Sequence, residues 1–571
     1  MSTSTVLPER QAFGLRLAVG IVFGLGIAAL THHPQNTVPN LPLWKAVVVS
    51  TLMLSAFIWW AGAGAMRRVN LIVWGIVITA VIAALGWHQS ADRADASDFV
   101  FSAPAAWLIL PFLFIAHELV SSGDQAGRLI APYATYFDQA WKRGVQLALS
   151  LAFTGLFWGI LWLGAALLGL IGFHWLKDLL EKDWFSMPAT GAAVACAVQL
   201  GDVQDKLLSN VRALALSVLS WLLPVIALIG LIFLGSLCAS GLGPLWKTKA
   251  ATSTLLGGSI AFVLLINAAY QQGDTERPVN AVMKWAARAA CVLLLIFSGL
   301  AAYSLKLRID EYGLTPERVL AGAGVVIAAL FGIGYAVAAV MPGRWLHRLE
   351  VVNIAMAFAK VLIFLGLLSP IADPTRLGVD DQVARLQSAR VTPEKFDWVM
   401  LRFDTGAYGR TALKGLKTTG KTGDIRALAA KADALSDDDR YTTFPVPPPK
   451  TVILSKIKVV YPSGGVLPQT LTAQALTGGS TICLTDPDAG CTAALIDADE
   501  DGQDEVLFAE KSGNVEGFTW DGSHWEQVPE LSPTLSPEKL KAFNAGQIEL
   551  SRPRWSTLTF GAPDATKAAP K

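Results

Sequence analysis

A nine-residue stretch near the C-terminus combines residue types that bind divalent cations. Its alternating side chains carry oxygen atoms, at Asp497, Asp499, Asp501, Gln503 and Glu505. Calcium takes about six to eight oxygen ligands, and a glycine such as Gly502 permits the tight curl this requires. An EF-hand needs Glu where this chain has Phe508. We therefore predict a weak strand–loop–strand calcium site closed by Glu505, with an acidic turn that binds no cation as the alternative.

The cysteines fall into two groups. Cys196, Cys238 and Cys291 lie in apolar stretches, where a free thiol acts as a small hydrophobic group. Cys483 and Cys491 flank a short turn-rich segment in the polar tail, an arrangement typical of a disulfide in an oxidising compartment. We predict that these two are bridged, and the alternative is a pair of unbridged buried cysteines.

Residues Gly415–Thr422 match the Walker A pattern, but their context argues against a phosphate-binding loop. Such a loop must leave a buried strand and open a helix, whereas the residues before Gly415 have a helical pattern. Nucleotide binding is therefore not predicted. Nucleic-acid binding is not predicted either, because no basic segment interleaved with aromatic residues is present.

Apolar stretches of helix-spanning length dominate the first 370 residues. A stretch of about 18–25 apolar residues crosses the hydrocarbon layer as a helix. With 53% apolar and 16% charged residues, the chain is more apolar and less charged than soluble globular proteins, which also indicates a membrane protein. The predicted spans are 12–30, 46–65, 70–87, 100–116, 145–172, 186–200, 213–240, 252–270, 285–304, 318–341 and 350–369. The sixth is short enough to be re-entrant instead.

Basic residues in the short loops predict the orientation. One set of loops carries Arg10, Arg16, Arg67, Arg68, Arg128, Lys142, Arg143, Lys206, Arg212, Arg277, Lys284, Arg288, Arg344 and Arg348. The opposite set carries Lys45, Arg93, Lys177, Lys182, Lys247, Lys249, Lys306, Arg308 and Arg318. The richer set includes the N-terminus, which predicts a cytoplasmic N-terminus. An odd number of spans then places the tail in the periplasm.

A few basic residues stand within or at the edges of the apolar stretches. Arg16, Lys284, Arg288 and Lys360 are the examples. Charge inside a membrane is costly and often functional, so these residues are candidates for a polar path. Long side chains that reach the interface are the interpretation we favour from sequence alone.

The polar tail is predicted to contain a helical segment, a linker and a β-rich domain. The predicted boundaries are 1–370 for the membrane region, 371–442 for the helical segment, 443–450 for a Pro-rich linker and 451–571 for a small β-rich or α+β domain. Thr392, Pro393 and Glu394 have the pattern of a helix start. The predicted strands are Thr451–Tyr461, Thr492–Ile496, Glu505–Ala509 and Val515–Trp520.

One segment between two predicted spans resembles a bacterial family of polytopic inner-membrane proteins known only as a domain of unknown function. The resemblance depends on Tyr312, Gly313, Leu314, Thr315, Pro316 and Arg318. Further similar stretches are Trp141–Gly144, Asp373–Pro374 with Gln382–Leu386, and Phe396–Gly409. The resemblance implies a multi-pass membrane protein and supplies no activity or catalytic residue. Gly313 permits a turn and Pro316 begins a helix in this interpretation.

These observations predict an all-α transmembrane bundle of about eleven helices with a C-terminal extramembrane helical segment and a small β-rich domain. We expect contact with the lipid bilayer, no cofactor other than calcium, and no catalytic residues. The sequence favours a non-enzymatic envelope protein that binds a partner through its periplasmic domain. A transporter or channel of unknown substrate is the alternative, and it requires charged residues facing a cavity.

Overall fold

The structure of the protein is a computed structural model, in which the chain divides into two compact units, residues 1–442 and 443–571. The residues it describes are 6–32, 42–91, 100–248, 250–272, 280–341, 346–436, 439–440, 444, 454, 457–471, 476–477, 482–485 and 490–550. The predicted linker at 443–450 lies outside the described residues apart from Phe444.

The first unit is a bundle of long apolar helices. Its helices are α1 (Glu9–Thr31), α2 (Leu43–Gly62), α3 (Arg68–Ala91), α4 (Ala103–Ala126), α5 (Tyr133–Leu170), α6 (Trp175–Leu180), α7 (Asp183–Val203), α8 (Asp205–Ser240), α9 (Gly243–Lys247), α10 (Ala251–Tyr270), α11 (Ala281–Tyr312), α12 (Pro316–Val340), α13 (Leu349–Leu368), α14 (Pro374–Gln387), α15 (Gly406–Thr419) and α16 (Gly423–Asp433). Among the described residues, ten helices are long and apolar enough to cross a membrane: α1 to α5, α8 and α10 to α13. The predicted multi-pass helical fold is thus confirmed.

The sixth predicted span corresponds to α7, which is long enough for a span but rich in small and polar residues. Its 21 residues pack against α1 in the antiparallel direction. Gly20 faces the backbone of Gly191, and a Cβ on either residue would overlap the other. Arg16, early in α1, reaches Asp202 at the end of α7. Close helix packing through glycine therefore holds α7 against α1.

Polar contacts between helix ends show how α3, α4 and α13 are oriented relative to one another. The side chain of Arg67, beside the start of α3, lies 2.6 Å from Asp124 near the end of α4. At the opposite end of α3, His88 Nε2 lies 2.8 Å from Asp373 Oδ2, just after α13. The ends of α3 and α13 therefore share one side of the bundle, and the end of α4 lies on the other.

The two largest apolar clusters of the bundle lie on either side of α13. One cluster includes Phe262, Leu294 and Phe331 and joins α8, α10, α11 and α12. The other includes Ile82 and Ile109 and joins α2, α3 and α4. Residues of α13 contribute to both clusters, so this helix lies between them.

The predicted helix start at Thr392–Glu394 is wrong, because the chain forms turns there. The indole Nε1 of Trp398 donates a hydrogen bond to the carbonyl oxygen of Pro393 at 2.8 Å, which closes the turn. Asp397 Oδ1 then accepts from the amide of Met400 at 2.8 Å. The helical conformation therefore begins after Asp397, with a π-helical turn at Met400–Asp404 before α15.

The second unit contains a six-stranded sheet in the order β1-β3-β4-β5-β6-β2. Its elements are β1 (Lys458–Tyr461), β2 (Leu476–Thr477), α17 (Ile482–Thr485), β3 (Thr492–Ile496), β4 (Glu505–Ala509), β5 (Val515–Trp520), β6 (Trp525–Val528) and α18 (Pro537–Asn544). Strands β3 to β6 are antiparallel, and β1 and β2 join the edges in parallel. Three strands have their predicted bounds, because alternating apolar side chains such as Phe508 and Phe518 fill the core.

Candidate binding cavity in the helix bundle

Three adjoining cavities run along α13 between the helices of the bundle, and we call them the α13 cavity. The first two have volumes of about 270 and 640 Å³. Both are lined by Phe114, Ala140, Trp141, Val263, Asn267, Phe331 and Lys360. The third, of about 460 Å³, shares Gly324, Ile327 and Phe364 with the second. From Asn353 to Leu367 the cavity follows roughly 21 Å of helix, at a rise of about 1.5 Å per residue.

Lys360 places a charge in the middle of this cavity. It is the twelfth residue of the twenty in α13, so it lies near the centre of a membrane-length helix. Its Nζ lies 5.5 Å from the centre of the Phe331 ring. No hydrogen bond or salt bridge joins this ammonium to another residue in the described part of the chain. A charge at this depth is costly unless an anion compensates it.

A closed ring of hydrogen bonds holds three of the helices at one end of the cavity. Asn353 Nδ2 donates to Asn267 Oδ1 at 2.6 Å, and Asn267 Nδ2 donates to the hydroxyl of Tyr335 at 2.7 Å. The Tyr335 hydroxyl donates back to Asn353 Oδ1 at 2.6 Å. Tyr133 contributes a fourth helix through a 3.3 Å bond to Asn267. This network fixes α5, α10, α12 and α13 around the cavity.

A second, polar pocket lies beside α1 and α7, and we call it the α1–α7 pocket. It has a volume of about 420 Å³ and is lined by Leu7, Glu9, Ala12, Arg16, Gly64, Ala65, Gln125, Gln139, Lys142, Arg143, Gln199 and Asp202. Arg16 is only 1% exposed. It pairs with Asp202 and donates to Gln199 Oε1 at 2.7 Å. Its guanidinium is therefore bound between α1 and α7.

Glu118 and Arg143 lie between the α13 cavity and the α1–α7 pocket. Glu118 lines the α13 cavity, and Arg143 lines the α1–α7 pocket. Arg143 Nε lies 3.4 Å from Glu118 Oε1, and the two residues are 6% and 5% exposed. Arg143 also donates to Gln146 Oε1 at 2.8 Å, and Gln146 Nε2 donates to Asp202 Oδ1 at 2.9 Å. Buried polar groups thus connect the pocket to the cavity.

Glu118 and Arg143 were not predicted as site residues, because the predicted spans 100–116 and 145–172 leave both of them in the loop between two spans. In the structure, α4 continues to Ala126, and α5 begins at Tyr133. The signal for the longer α5 is present in the sequence, because neither glycine nor proline interrupts the segment from Tyr133 to Arg143.

A family model described as "Domain of unknown function (DUF4153)" matches residues 46–405. The matched region is more than half of the chain and includes all residues that line the α13 cavity. The chain belongs to the DUF4153 family. The predicted resemblance to a family of unknown function is therefore confirmed. No curated protein and no solved structure matches the chain.

The turn that suggested the family resemblance joins α11 and α12 in this DUF4153 protein and is bound by α14. Asp381 Oδ2 accepts from the amide of Leu314 at 2.7 Å, and Gln382 Nε2 donates to the carbonyl oxygen of Leu314 at 2.9 Å. Gly313 has a φ of +76°, and a Cβ there would lie 2.6 Å from atoms of Arg385 and Gln382. Arg318 donates to the Gly313 carbonyl at 2.6 Å. The turn at 312–318 and the segment Gln382–Leu386, which both resemble the family, therefore contact each other.

The other residues of this turn begin α12. Pro316 occupies the first position of the helix, as predicted, and Thr315 precedes it without a capping hydrogen bond from its side chain. Tyr312 ends α11, and its ring lies 5.5 Å from the Arg318 guanidinium carbon. The turn thus has a structural role in joining two spans to α14.

The segment Trp141–Gly144, which also resembles the family, lies beside the α13 cavity. Trp141 lines both of the first two cavities, and Gly144 lines the second. Between them, Arg143 contacts Glu118. This part of α5 therefore forms a wall of the cavity and contributes to its boundary with the α1–α7 pocket.

The acidic loop of the second unit connects two antiparallel strands, β3 and β4. Ligand atoms of Asp497, Asp499 and Asp501 lie within 4.8 Å of one another. The backbone amide of Gln503 donates to Asp501 Oδ1 at 2.7 Å. Glu505 is buried, and its carboxylate oxygens accept from the amide of Ala498 (2.7 Å) and the hydroxyl of Thr519 (3.0 Å).

Burial raises the pKa of Glu505, and the nearby charges of Asp499 and Asp501 raise it further, whereas its two hydrogen bonds lower it. The three aspartates form the cluster of ligand atoms, and Glu505 connects the loop to β5 through Thr519.

The predicted disulfide between Cys483 and Cys491 is confirmed, with a Cα–Cα distance of 5.6 Å. Cys196, Cys238 and Cys291 are free, as predicted. The Walker-like segment continues a helix, because α15 extends through Gly415 to Thr419. Its backbone amides therefore do not form the loop that would surround a phosphate.

Proposed function

We propose that this DUF4153 protein is a membrane carrier for an amphiphilic anion, a molecule with an acidic headgroup and an apolar chain. The observation that carries the proposal is Lys360, an ammonium at the centre of a span with no acidic partner among the described residues. The negative charge of an acidic headgroup compensates the positive charge of Lys360. The apolar walls formed by residues such as Phe114 and Phe331 suit the chain.

Two features favour a carrier, the alternative from the sequence analysis, over a static binding protein. The α13 cavity follows most of α13 rather than one end of it. Pro111 also lies in the interior of α4, one turn before the cavity-lining Phe114. A proline inside a continuous helix removes one backbone hydrogen bond and allows the helix to bend, which a carrier requires beside its cavity. A carrier requires no catalytic residue.

Charge selectivity tests the proposal. The full-length protein in nanodiscs of phosphatidylcholine is incubated with radiolabelled dodecyl sulfonate, dodecyltrimethylammonium or inorganic phosphate. We expect saturable binding of dodecyl sulfonate and little binding of the cation, because its charge repels Lys360. Free phosphate should bind weakly, because it cannot occupy the apolar part of the cavity. Equal binding of the two dodecyl compounds would contradict a site selective for anions.

We propose that α7 is an eleventh span beside the ten apolar helices, and that the carrier lies in the bacterial inner membrane with its N-terminus in the cytoplasm and its second unit in the periplasm. The distribution of Lys and Arg among the loops supports this orientation. The Cys483–Cys491 disulfide supports it independently, because disulfides persist in oxidising compartments.

We predict that alkaline phosphatase fused after Thr442 is active, because the enzyme requires export to form its disulfides. A fusion after Gly127, in the turn following α4, should be inactive. Fluorescent-protein fusions at the two positions should show the opposite pattern. An inactive phosphatase after Thr442 together with an active one after Gly127 would reverse the proposed orientation.

We propose that the second unit binds calcium weakly through Asp497, Asp499 and Asp501. Their ligand atoms are grouped, and Asp497 Oδ1 is buried with no hydrogen-bond partner in the described part of the chain. A cation compensates the repulsion among these carboxylates. Gln503 and Glu505 are the further ligands that the sequence predicted.

Calcium at about 10–100 times its dissociation constant should stabilise residues 443–571 by about 1–3 kcal/mol and raise the melting temperature by several degrees. Asp499→Asn with Asp501→Asn should remove this shift, and Glu530→Gln, at an exposed position outside the loop, should preserve it. Melting curves with and without millimolar calcium provide the measurement. An unchanged wild-type curve would identify the loop as an acidic turn only.

A further inference from the structure

Glu118 has an unusual environment for a carboxylate inside a helix bundle. It is 5% exposed, and neither of its oxygens has a hydrogen-bond partner among the described residues. Its closest charged contact is Arg143, at 3.4 Å. Buried polar groups are nearly always hydrogen-bonded, so a carboxylate that lacks such bonds calls for an explanation.

The charges around Glu118 connect it to the proposed anion site. Arg143, Tyr133 and Tyr136 face the same region from α5, and Lys360 faces it from α13. His117 precedes it on α4 and accepts a hydrogen bond from the indole of Trp74. Ionised Glu118 therefore contributes a negative charge to the cavity wall, which opposes the binding of an anion near Lys360.

We infer that Glu118 takes up one proton when the cavity binds its anion, so that the proposed carrier transports a proton with each anion. This inference rests on the proposed function. A proton from water binds to a carboxylate oxygen of Glu118, which becomes neutral. Arg143 remains charged and keeps its hydrogen bond to Gln146. When the anion leaves, Glu118 returns the proton to water.

The contact between Glu118 and Arg143 links the Glu118 carboxylate to the α1–α7 pocket. Arg143 lines the α1–α7 pocket on one side and contacts Glu118 on the other. Protonation weakens this ion pair, because a neutral carboxyl group no longer attracts the guanidinium. The same step removes the negative charge of Glu118 from the cavity wall, so Lys360 faces the anion without an opposing carboxylate. Thermodynamic reciprocity then requires anion binding to favour protonation to the same degree.

Dodecyl sulfonate tests this inference because its own charge does not change with pH. For the wild-type protein in nanodiscs, we expect the affinity to increase by about tenfold per unit decrease in pH where Glu118 is ionised in the free protein. Glu118→Gln, which resembles the protonated residue, should bind tightly with little dependence on pH. Glu350→Gln is the matched control, because Glu350 lies on α13 but does not line the cavity.

Proton uptake by the wild-type protein gives a second readout that does not depend on a folded variant. In weakly buffered solution, about one proton should be taken up for each dodecyl sulfonate bound. Binding without proton uptake, or an unchanged pH dependence in Glu118→Gln, would refute the role of Glu118 and leave the proposed anion site intact. Absence of binding at every pH would refute both.

Discussion

Replacement of Lys360 by methionine is expected to abolish most of the binding of dodecyl sulfonate. Methionine has a similar length but carries no charge, so the headgroup loses its partner in a region of low dielectric. Removing one member of such a charged pair costs about 2–5 kcal/mol, which weakens binding by about 30-fold or more. Equilibrium binding to the full-length protein in nanodiscs measures the effect.

The Lys284→Met variant provides the control for this prediction. Lys284 is an exposed lysine on α11 and does not line the α13 cavity. Its replacement should leave binding unchanged. If Lys360→Met binds dodecyl sulfonate as the wild type does, the ammonium is not the anion site.

Replacement of Asp202 by alanine is expected to destabilise the first unit severely. Arg16 would then remain almost fully buried without its carboxylate partner. Its bonds to Gln199 and to the carbonyl oxygen of Trp60 would remain, but they are not negatively charged. An uncompensated buried charge costs about 3–5 kcal/mol. Thermal unfolding of the detergent-solubilised protein should therefore begin at a much lower temperature.

An exposed ion pair provides the comparison. Lys177 and Glu181 lie 3.7 Å apart on the surface, with more than half of each side chain exposed. Glu181→Ala should change stability by less than about 1 kcal/mol, because water solvates the remaining charge. Equal thermal stability of Asp202→Ala and the wild type would show that Arg16 does not depend on this partner.

Hydropathy and the periodicity of apolar residues predicted the helices and strands whose side chains are clearly either apolar and buried or polar and exposed. The apolar core of each span and the strands β3, β4 and β5 were found because their side chains leave water on folding. The disulfide was predictable from the short, turn-rich separation of Cys483 and Cys491. In each case, neighbouring residues contain the information that determines the structure.

The cavity was not predictable, because an apolar membrane helix gives little indication of which side faces its neighbours. Lys284 and Lys360 both interrupt apolar sequence, yet only Lys360 lines the cavity. Lipid and the bundle interior are both apolar, so periodicity does not separate their faces as it does in water. The pairing of Glu118 with Arg143 depends on how α4 packs against α5, which the residues next to either one in the sequence do not determine.

A structure of the full-length protein in nanodiscs with dodecyl sulfonate, determined by electron cryo-microscopy beside a ligand-free sample, tests the central claim most directly. We predict additional density in the α13 cavity, with the sulfonate within hydrogen-bonding distance of Lys360 Nζ and the alkyl chain along Phe331 and Phe364. A cavity that looks the same in both samples, under conditions where the sulfonate is bound, would contradict the assignment of this cavity as the anion site.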